Sequence, residues 1–253
     1  MHILLTNDDG YFSSGITLLK KCLQRLGHRC TVVAPQTQKS AVSSALTLFE
    51  PIFLYENKQT KKMREYYISG SPVDCVKVAL SQILKEKPDL LISGINQGAN
   101  IGINVVYSGT VGAAFEGILN EIPSIALSFD SNDPQEFALM APALGKFLKK
   151  LLTLDLGIDC VWNVNFPCIE AKKIQGIRFT QLSKAFYQDR YEHRKDLRGR
   201  SYFWLGSNTE IQMKQIDKES DAVALKKGYI SISPITFTST HKDRLKQVSP
   251  LDW

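Results

Sequence analysis

Histidine and cysteine are scarce in this 253-residue chain and scattered where they occur. The four histidines, His2, His28, His193 and His241, show no H-x-x-x-H spacing, and the five cysteines, Cys22, Cys30, Cys75, Cys160 and Cys168, form no C-x-x-C pair. Neither a zinc centre nor a disulfide framework is therefore indicated, and the cysteines read as small core residues. No run approaches the ~20 apolar residues that a bilayer span requires. The N-terminus reads as a strand rather than a charged segment leading into a signal core, so a cytoplasmic protein without a membrane partner is expected. Also missing are G-x-x-x-x-G-K-[ST], G-x-G-x-x-G, G-x-S-x-G and a D-x-D signature. Their absence argues against a Walker-type loop, a dinucleotide fingerprint, a nucleophile elbow and a phospho-aspartyl intermediate.

What remains is a soluble globular composition, 43% apolar and 22% charged, of a length that suits one α/β domain with an appendage. The net charge of +6 suits an anionic ligand. Lys and Arg are spread along the chain except near Lys184–Arg200 and Lys242–Lys246, so a solvated surface explains most of them and nucleic acid is not required.

The chain is organised around its opening. Ile3–Leu5 reads as a buried strand that stops at Thr6-Asn-Asp-Asp-Gly10, a turn carrying two adjacent carboxylates. Asp8 and Asp9 are ordinary as turn or cap residues. Past the carboxyl end of a sheet strand they are also placed for chemistry, and a divalent cation with oxygen ligands would relieve their repulsion. Ile16, Leu19, Cys22, Leu23 and Leu26 recur at helical spacing, and Cys30–Ala34 is a second strand closed by Pro35, a strand–helix–strand unit of a parallel sheet.

A hydroxyl-rich loop, Pro35–Ser44, follows on the same sheet edge and brings Ser40. Thr47–Leu54 and Tyr66–Ile68 look like a hairpin, Gly70-Ser-Pro72 opens a helix, and Pro88–Ser93 is a third strand. Beyond that strand, Gly94-Ile-Asn-Gln-Gly98-Ala-Asn100-Ile-Gly102 is rich in glycine and asparagine, which lets backbone N–H groups cradle an anion. Ser108-Gly109-Thr110 then caps a small-residue helix whose N–H and hydroxyl groups suit a phosphate. Pro123–Ser128 and Val161–Phe166 are further strands around a long helix, Pro134–Leu152. The expected fold is α/β, a Rossmann-like open, mostly parallel sheet with helices on both faces. Residues 1–169 form its catalytic domain. Residues 170–253 read as a β-rich C-terminal region without regular helices. They are too poor in apolar residues for a core of their own and include an extended hairpin arm, Arg190–Leu205, that packs on a partner subunit.

Asp8, Asp9, Ser40 and Asn96 then make an all-oxygen set suited to one Mg²⁺ or Mn²⁺. Gly98, Asn100, Ser108, Gly109 and Thr110 offer phosphate contacts beside it. A hard cation next to a phosphate cradle is phosphomonoesterase chemistry by direct water attack, with Asp8, Asp9 and Asn96 catalytic; Asp9 as a nucleophile stays open.

The same residues carry a resemblance. Thr6–Gly10, Ala34-Pro35 with Ser40, Gly70-Ser-Pro-Val-Asp-Cys75, Ser93–Gly102, Tyr107-Ser-Gly-Thr110, Asn163-Val-Asn-Phe-Pro167 and Gly228-Tyr-Ile-Ser-Ile-Ser-Pro234 occur in order along nearly the whole chain. Together they resemble the SurE family of survival-protein nucleotidases. The resemblance implies a metal-dependent phosphatase for nucleoside 5′- and 3′-monophosphates, sometimes for polyphosphate, with Asp8, Asp9, Ser40 and Asn96 as metal ligands. It also implies a homodimer or homotetramer joined through C-terminal arms. Two positions depart from the family pattern: Ala41 stands where glycine is usual, which is expected to stiffen the serine loop or shift it away from positive φ, and Ser71 stands where threonine is usual. Two alternatives stay open. One is a glycosyltransferase-like enzyme using nucleotide sugars, suggested by Gly27–Pro35; the other is a binding module for RNA or nucleotides built on Arg190–Arg200.

Overall fold

The computed structural model describes residues 1–58, 64–187, 190–206, 211–213 and 217–236. The basic stretch Lys242–Lys246 lies outside them. A nine-stranded sheet runs β3-β4-β2-β1-β5-β6-β7-β13-β8. Its first strands are β1 (His2–Thr6), β2 (Arg29–Pro35), β3 (Leu54–Glu56), β4 (Arg64–Ile68), β5 (Leu90–Gln97), β6 (Ser124–Phe129) and β7 (Val161–Phe166). Six adjacent strand pairs are parallel, from β4-β2 through β6-β7 with β13-β8; β3-β4 and β7-β13 are antiparallel.

Both faces are covered, as the near-continuous apolar runs of the central strands demand. On one face α1 (Ser14–Arg25) and α4 (Phe137–Leu151) bury Ile16, Leu19, Leu23, Met140 and Leu144 against Ile3, Leu5, Ile92 and Leu127. On the other, α2 (Pro72–Val78) and α3 (Gly109–Leu119) pack Val76, Val111 and Ala114 against Leu4, Val33 and Leu91. The chain winds outward from β1 through β2 to β4, then crosses to β5 and winds the other way. β1 and β5 therefore flank a topological switch point, where their carboxyl ends open a crevice.

Beyond residue 170 the structure adds β8 (Ile177–Phe179), β9 (Ala185–Tyr187), β10 (Tyr191–Lys195), β11 (Ser201–Leu205), β12 (Ile211–Met213) and β13 (Ile230–Ile235). β8 and β13 join the main sheet, because the alternate Ile230 and Ile232 are buried there. β10 and β11 form the expected hairpin, and β9 pairs with β12. Two expectations are corrected. A helix does occur in this region, α5 (Asp221–Lys226), one turn and a half with Ala222, Val223 and Leu225 buried, too short for a periodicity to show. The early hairpin is shorter than the apolar run suggested: it pairs only from Leu54, and Leu48 and Phe49 are exposed.

Candidate active site

The acidic turn is held by its own hydrogen bonds. Asn7 donates from Nδ2 to the Gly10 carbonyl at 2.9 Å and to Ser13 Oγ at 2.8 Å, closing the loop between β1 and α1. The Asp8 carbonyl accepts the Lys39 N–H at 2.7 Å, fastening the serine loop to the same turn. Asp8 itself is buried and points at the N-terminus of α3. Its carboxylate accepts the Thr110 N–H at 3.1 Å and the Thr110 hydroxyl. Gly109 makes this approach feasible, since a Cβ there would stand 3.1 Å from Asp8 Cβ and 3.2 Å from Oδ2.

Burial pushes the Asp8 carboxyl above its ordinary range, and the Thr110 bonds oppose that rise. Asp9 is pushed up to about 7, first by burial and then by the negative charge of Asp8, against a 2.8 Å bond from the Gln97 N–H. Two neighbouring carboxylates so raised are costly as anions and become comfortable once a cation lies between them.

Asn96 comes from the last turn of pleat in β5 rather than from a loop. The register against β6 slips between Gly94 and Asn96, with Gly94 at φ +141°, where a Cβ would collide with the Leu127 carbonyl oxygen at 2.2 Å. Apolar periodicity ended at Ser93, so the strand's bulged continuation was invisible to it. Asn96 Nδ2 donates to the Gly98 carbonyl at 2.7 Å, which directs the amide oxygen the other way. Ser40 Oγ accepts from Gln38 Nε2 at 2.9 Å. Its loop is left-handed at Ala41, φ +56°, and Ser43, φ +51°. The expected shift away from positive φ is thus corrected: Ala41 adopts it, held by Ser43, whose N–H and Oγ bond the Tyr107 and Val106 carbonyls at 3.0 and 2.7 Å. Ser71 has a structural task, accepting the Asp74 N–H as a helix cap and donating to the Ala45 carbonyl.

Asp8, Ser40, Asn96, Asn100 and Ser108 line one cavity of about 500 Å³. Asp9, Gly98, Gly109 and Thr110 lie outside its lining: Asp9 holds the Gln97 backbone, and both donors of Thr110 serve Asp8. Ser108 Oγ caps α3 by accepting the Val111 N–H at 3.1 Å.

Sequence reasoning gave no role to the groups that hold the glycine-rich loop. Asn163 and Asn165, alternate residues of β7, both donate to the Asn100 carbonyl, and Asn165 accepts the Asn100 N–H at 2.8 Å. Two asparagines on the buried face of a strand are the signal that could have found them, because buried amides must be paired. Asp221, fully buried, accepts the N–H groups of Gly102, Ser183 and Ala222 at 2.8, 2.9 and 2.7 Å. Nothing local in the sequence marks it.

Among the described residues no cluster of three or more His, Cys, Asp or Glu side chains could hold a metal. The set here is two carboxylates, a hydroxyl and an amide. An all-oxygen set is harder than the nitrogen and sulfur ligands zinc prefers, and it fits a six-coordinate ion that fills its other positions with waters or substrate oxygens, as Mg²⁺ and Mn²⁺ do.

The family model for survival protein SurE matches residues 3–189. A protein of Desulfitobacterium hafniense named 5′-nucleotidase SurE is 41% identical, over 98% of this chain and 96% of its own length. One of the same name from Nitratidesulfovibrio vulgaris is 38% identical over the whole of both chains. The crystal structure of the SurE protein from Aquifex aeolicus superimposes with a TM-score of 0.83 at 35% identity, covering 98% of each chain.

Proposed function

The chain belongs to the SurE family, and from that premise we propose that the crevice between β1 and β5 hydrolyses nucleoside 5′-monophosphates to nucleoside and phosphate. The protein is a 5′-nucleotidase. The observation that supports this reading is the buried Asp8 in the wall of a cavity that the Ser40 hydroxyl and the Asn96 amide also line, with Asp9 next to it raised to about 7.

In this reading Asp8, Asp9, Ser40 and Asn96 hold one divalent cation per subunit, Mg²⁺ or Mn²⁺. When bound, such an ion supplies Lewis-acid stabilisation of the phosphoryl oxygens and makes a nearby water more acidic. The chain's own part is orientation. Thr110 and Gly109 hold the Asp8 carboxylate against the N-terminus of α3, where its charge meets the helix dipole. Asn100 and Ser108 present the polar wall for the phosphate, and Gly98 and the turn into α3 support it from outside the lining. Asn163 and Asn165 keep Asn100 in place from the far side of its peptide.

The reading extends to nucleoside 3′-monophosphates and polyphosphate as further substrates, to the cytoplasm as location, and to neither membrane nor nucleic acid as partner. Among the described residues no helix is long and apolar enough to cross a membrane. Residues 1–169 carry the catalytic groups, and 170–253 carry the arm. The arm supports a homodimer or homotetramer: Leu197, Tyr202, Phe203 and Trp204 are exposed on a two-stranded ribbon that is marginal alone.

Phosphate release from a panel of nucleoside 5′- and 3′-monophosphates and polyphosphate, each with Mg²⁺, Mn²⁺ or EDTA, tests this. Turnover should need the ion, and Asp9→Asn should lose it. A rate indifferent to EDTA, or full turnover in that variant, refutes the site.

A further inference from the structure

We propose that the root of the β10–β11 hairpin, together with Tyr107, forms the wall against which the nucleobase of the substrate stacks; this rests on the nucleotidase reading of the cavity. A phosphate and its cation fill only a small part of about 500 Å³. Asp8, Ser40, Asn96 and Ser108 are the part of the lining suited to a cation and a phosphate. The lining also includes Tyr107, Tyr191 and Leu205, which are 60, 63 and 53% exposed and have the character of a base platform rather than of a phosphate site.

The geometry of this wall is fixed at its roots. Tyr191 and Leu205 are direct partners in the antiparallel ladder, so their side chains stand beside each other on one face of the ribbon. One step outward, the Gly206 N–H closes onto the Arg190 carbonyl at 2.7 Å. Tyr107 is held from behind, its carbonyl bonded by the Ser43 N–H at 3.0 Å, immediately before the Ser108 cap of α3. The residue that follows the aromatic ring thus lines the polar part of the cavity, and the ring lies one residue from it.

Among the described residues lining the cavity, Asp8 is the only charged one. Among the described residues the lining holds no Arg, Lys, Glu or second Asp, and its remaining polar groups are neutral amides and hydroxyls, so the aromatic and apolar wall is the main contact for a base. Every base has a π-face, and the wall therefore favours nucleosides over abasic phosphates while discriminating little among bases.

The test compares kcat/KM for AMP with that for ribose 5-phosphate, which keeps the sugar and phosphate and lacks the base. In Tyr191→Ala the ratio should fall about tenfold, the loss of one base–aromatic stack, and the loss should appear mainly in KM. Tyr191→Phe, which keeps the ring and drops the hydroxyl, should restore it. A parallel fall for both substrates, or no fall for AMP, overturns the wall while leaving the nucleotidase reading intact. Should the wild type hydrolyse neither phosphate, that reading fails instead, and calorimetry with adenosine judges the wall: binding weakened at least severalfold by Tyr191→Ala upholds it, and absent or unaltered binding overturns it.

Discussion

Replacing Asp9 by asparagine should make the protein more stable and inactive at the same time. In EDTA, Asp9 keeps its proton up to about pH 7 in the folded state, against 3.8 for an ordinary aspartate, because burial and the charge of Asp8 both disfavour the anion. The folded chain then binds that proton more tightly than the unfolded chain does, so the metal-free protein loses stability as pH rises from 3.8 toward about 7 and does not regain it above. At ~1.4 kcal/mol per pH unit the full cost is about 4 kcal/mol, and partial contact of Asp9 with water trims it to roughly 2–4 kcal/mol. Asp9→Asn is isosteric, keeps an oxygen for the Gln97 N–H, and removes that cost. For a chain of this length it should raise Tm by about 5–15 °C at pH 8 in EDTA, with little difference at pH 4. Adding Mn²⁺ at pH 8 should raise the wild-type Tm and leave the variant almost unmoved. Differential scanning calorimetry at the two pH values, with and without the ion, gives all four numbers. Equal Tm for variant and wild type in EDTA at both pH values would refute the electrostatic argument, whatever the variant's activity.

Three further outcomes are expected. Thr110→Val removes the hydroxyl that orients Asp8 and keeps the N–H; kcat/KM and divalent-ion affinity should both fall about 10–100-fold, and steady-state assays over an ion titration would show an unaffected enzyme if Thr110 were only packing. Ala41→Gly relieves a left-handed alanine at φ +56°, a cost of roughly 1–2 kcal/mol offset in part by the looser unfolded chain, so stability in urea should rise by up to about 1 kcal/mol rather than drop. Asp221→Ala strands three backbone N–H groups at about 1–3 kcal/mol for each one left unpaired; the urea midpoint should fall sharply, whereas a change below about 1 kcal/mol would show that water replaces the carboxylate.

The central parallel strands and both helix layers could be read from the chain because their signals are local: apolar runs for buried parallel strands, helical spacing in Ile16–Leu26, and Pro or Gly at the boundaries; that β13 and β8 extend the same sheet could not. The clustering of Asp8, Ser40 and Asn96 followed from topology alone, since parallel neighbouring strands end on one edge. Other features depend on distant partners. Nothing within ten residues of Thr110 says that its donors serve a carboxylate at position 8, or that Asp221 supports Gly102. The bulge that carries β5 on to Gln97 is set by the Leu127 carbonyl, and the left-handed Ala41 by bonds to Val106 and Tyr107. The passage Gly27–Pro35, which suggested a nucleotide-sugar enzyme, is the turn after α1 followed by β2. It serves any fold that starts this way.

Because β1 lies inside the sheet, the order of synthesis has a bearing on when the site can exist. Asp8 leaves the ribosome 102 residues before Thr110, roughly 5–20 s ahead at ordinary elongation rates, and Gly102 waits for Asp221, 119 residues later. Throughout that interval the two carboxylates are on an unfinished chain with ordinary acidity, fully hydrated and indifferent to trace metal. Their mutual strain, and with it their appetite for a cation, arises only when α3 docks and the last strands close. In the proposed site, metal capture is thereby a late event tied to completed folding, and the ion would act as a seal on a finished molecule rather than as a nucleus for a partial one.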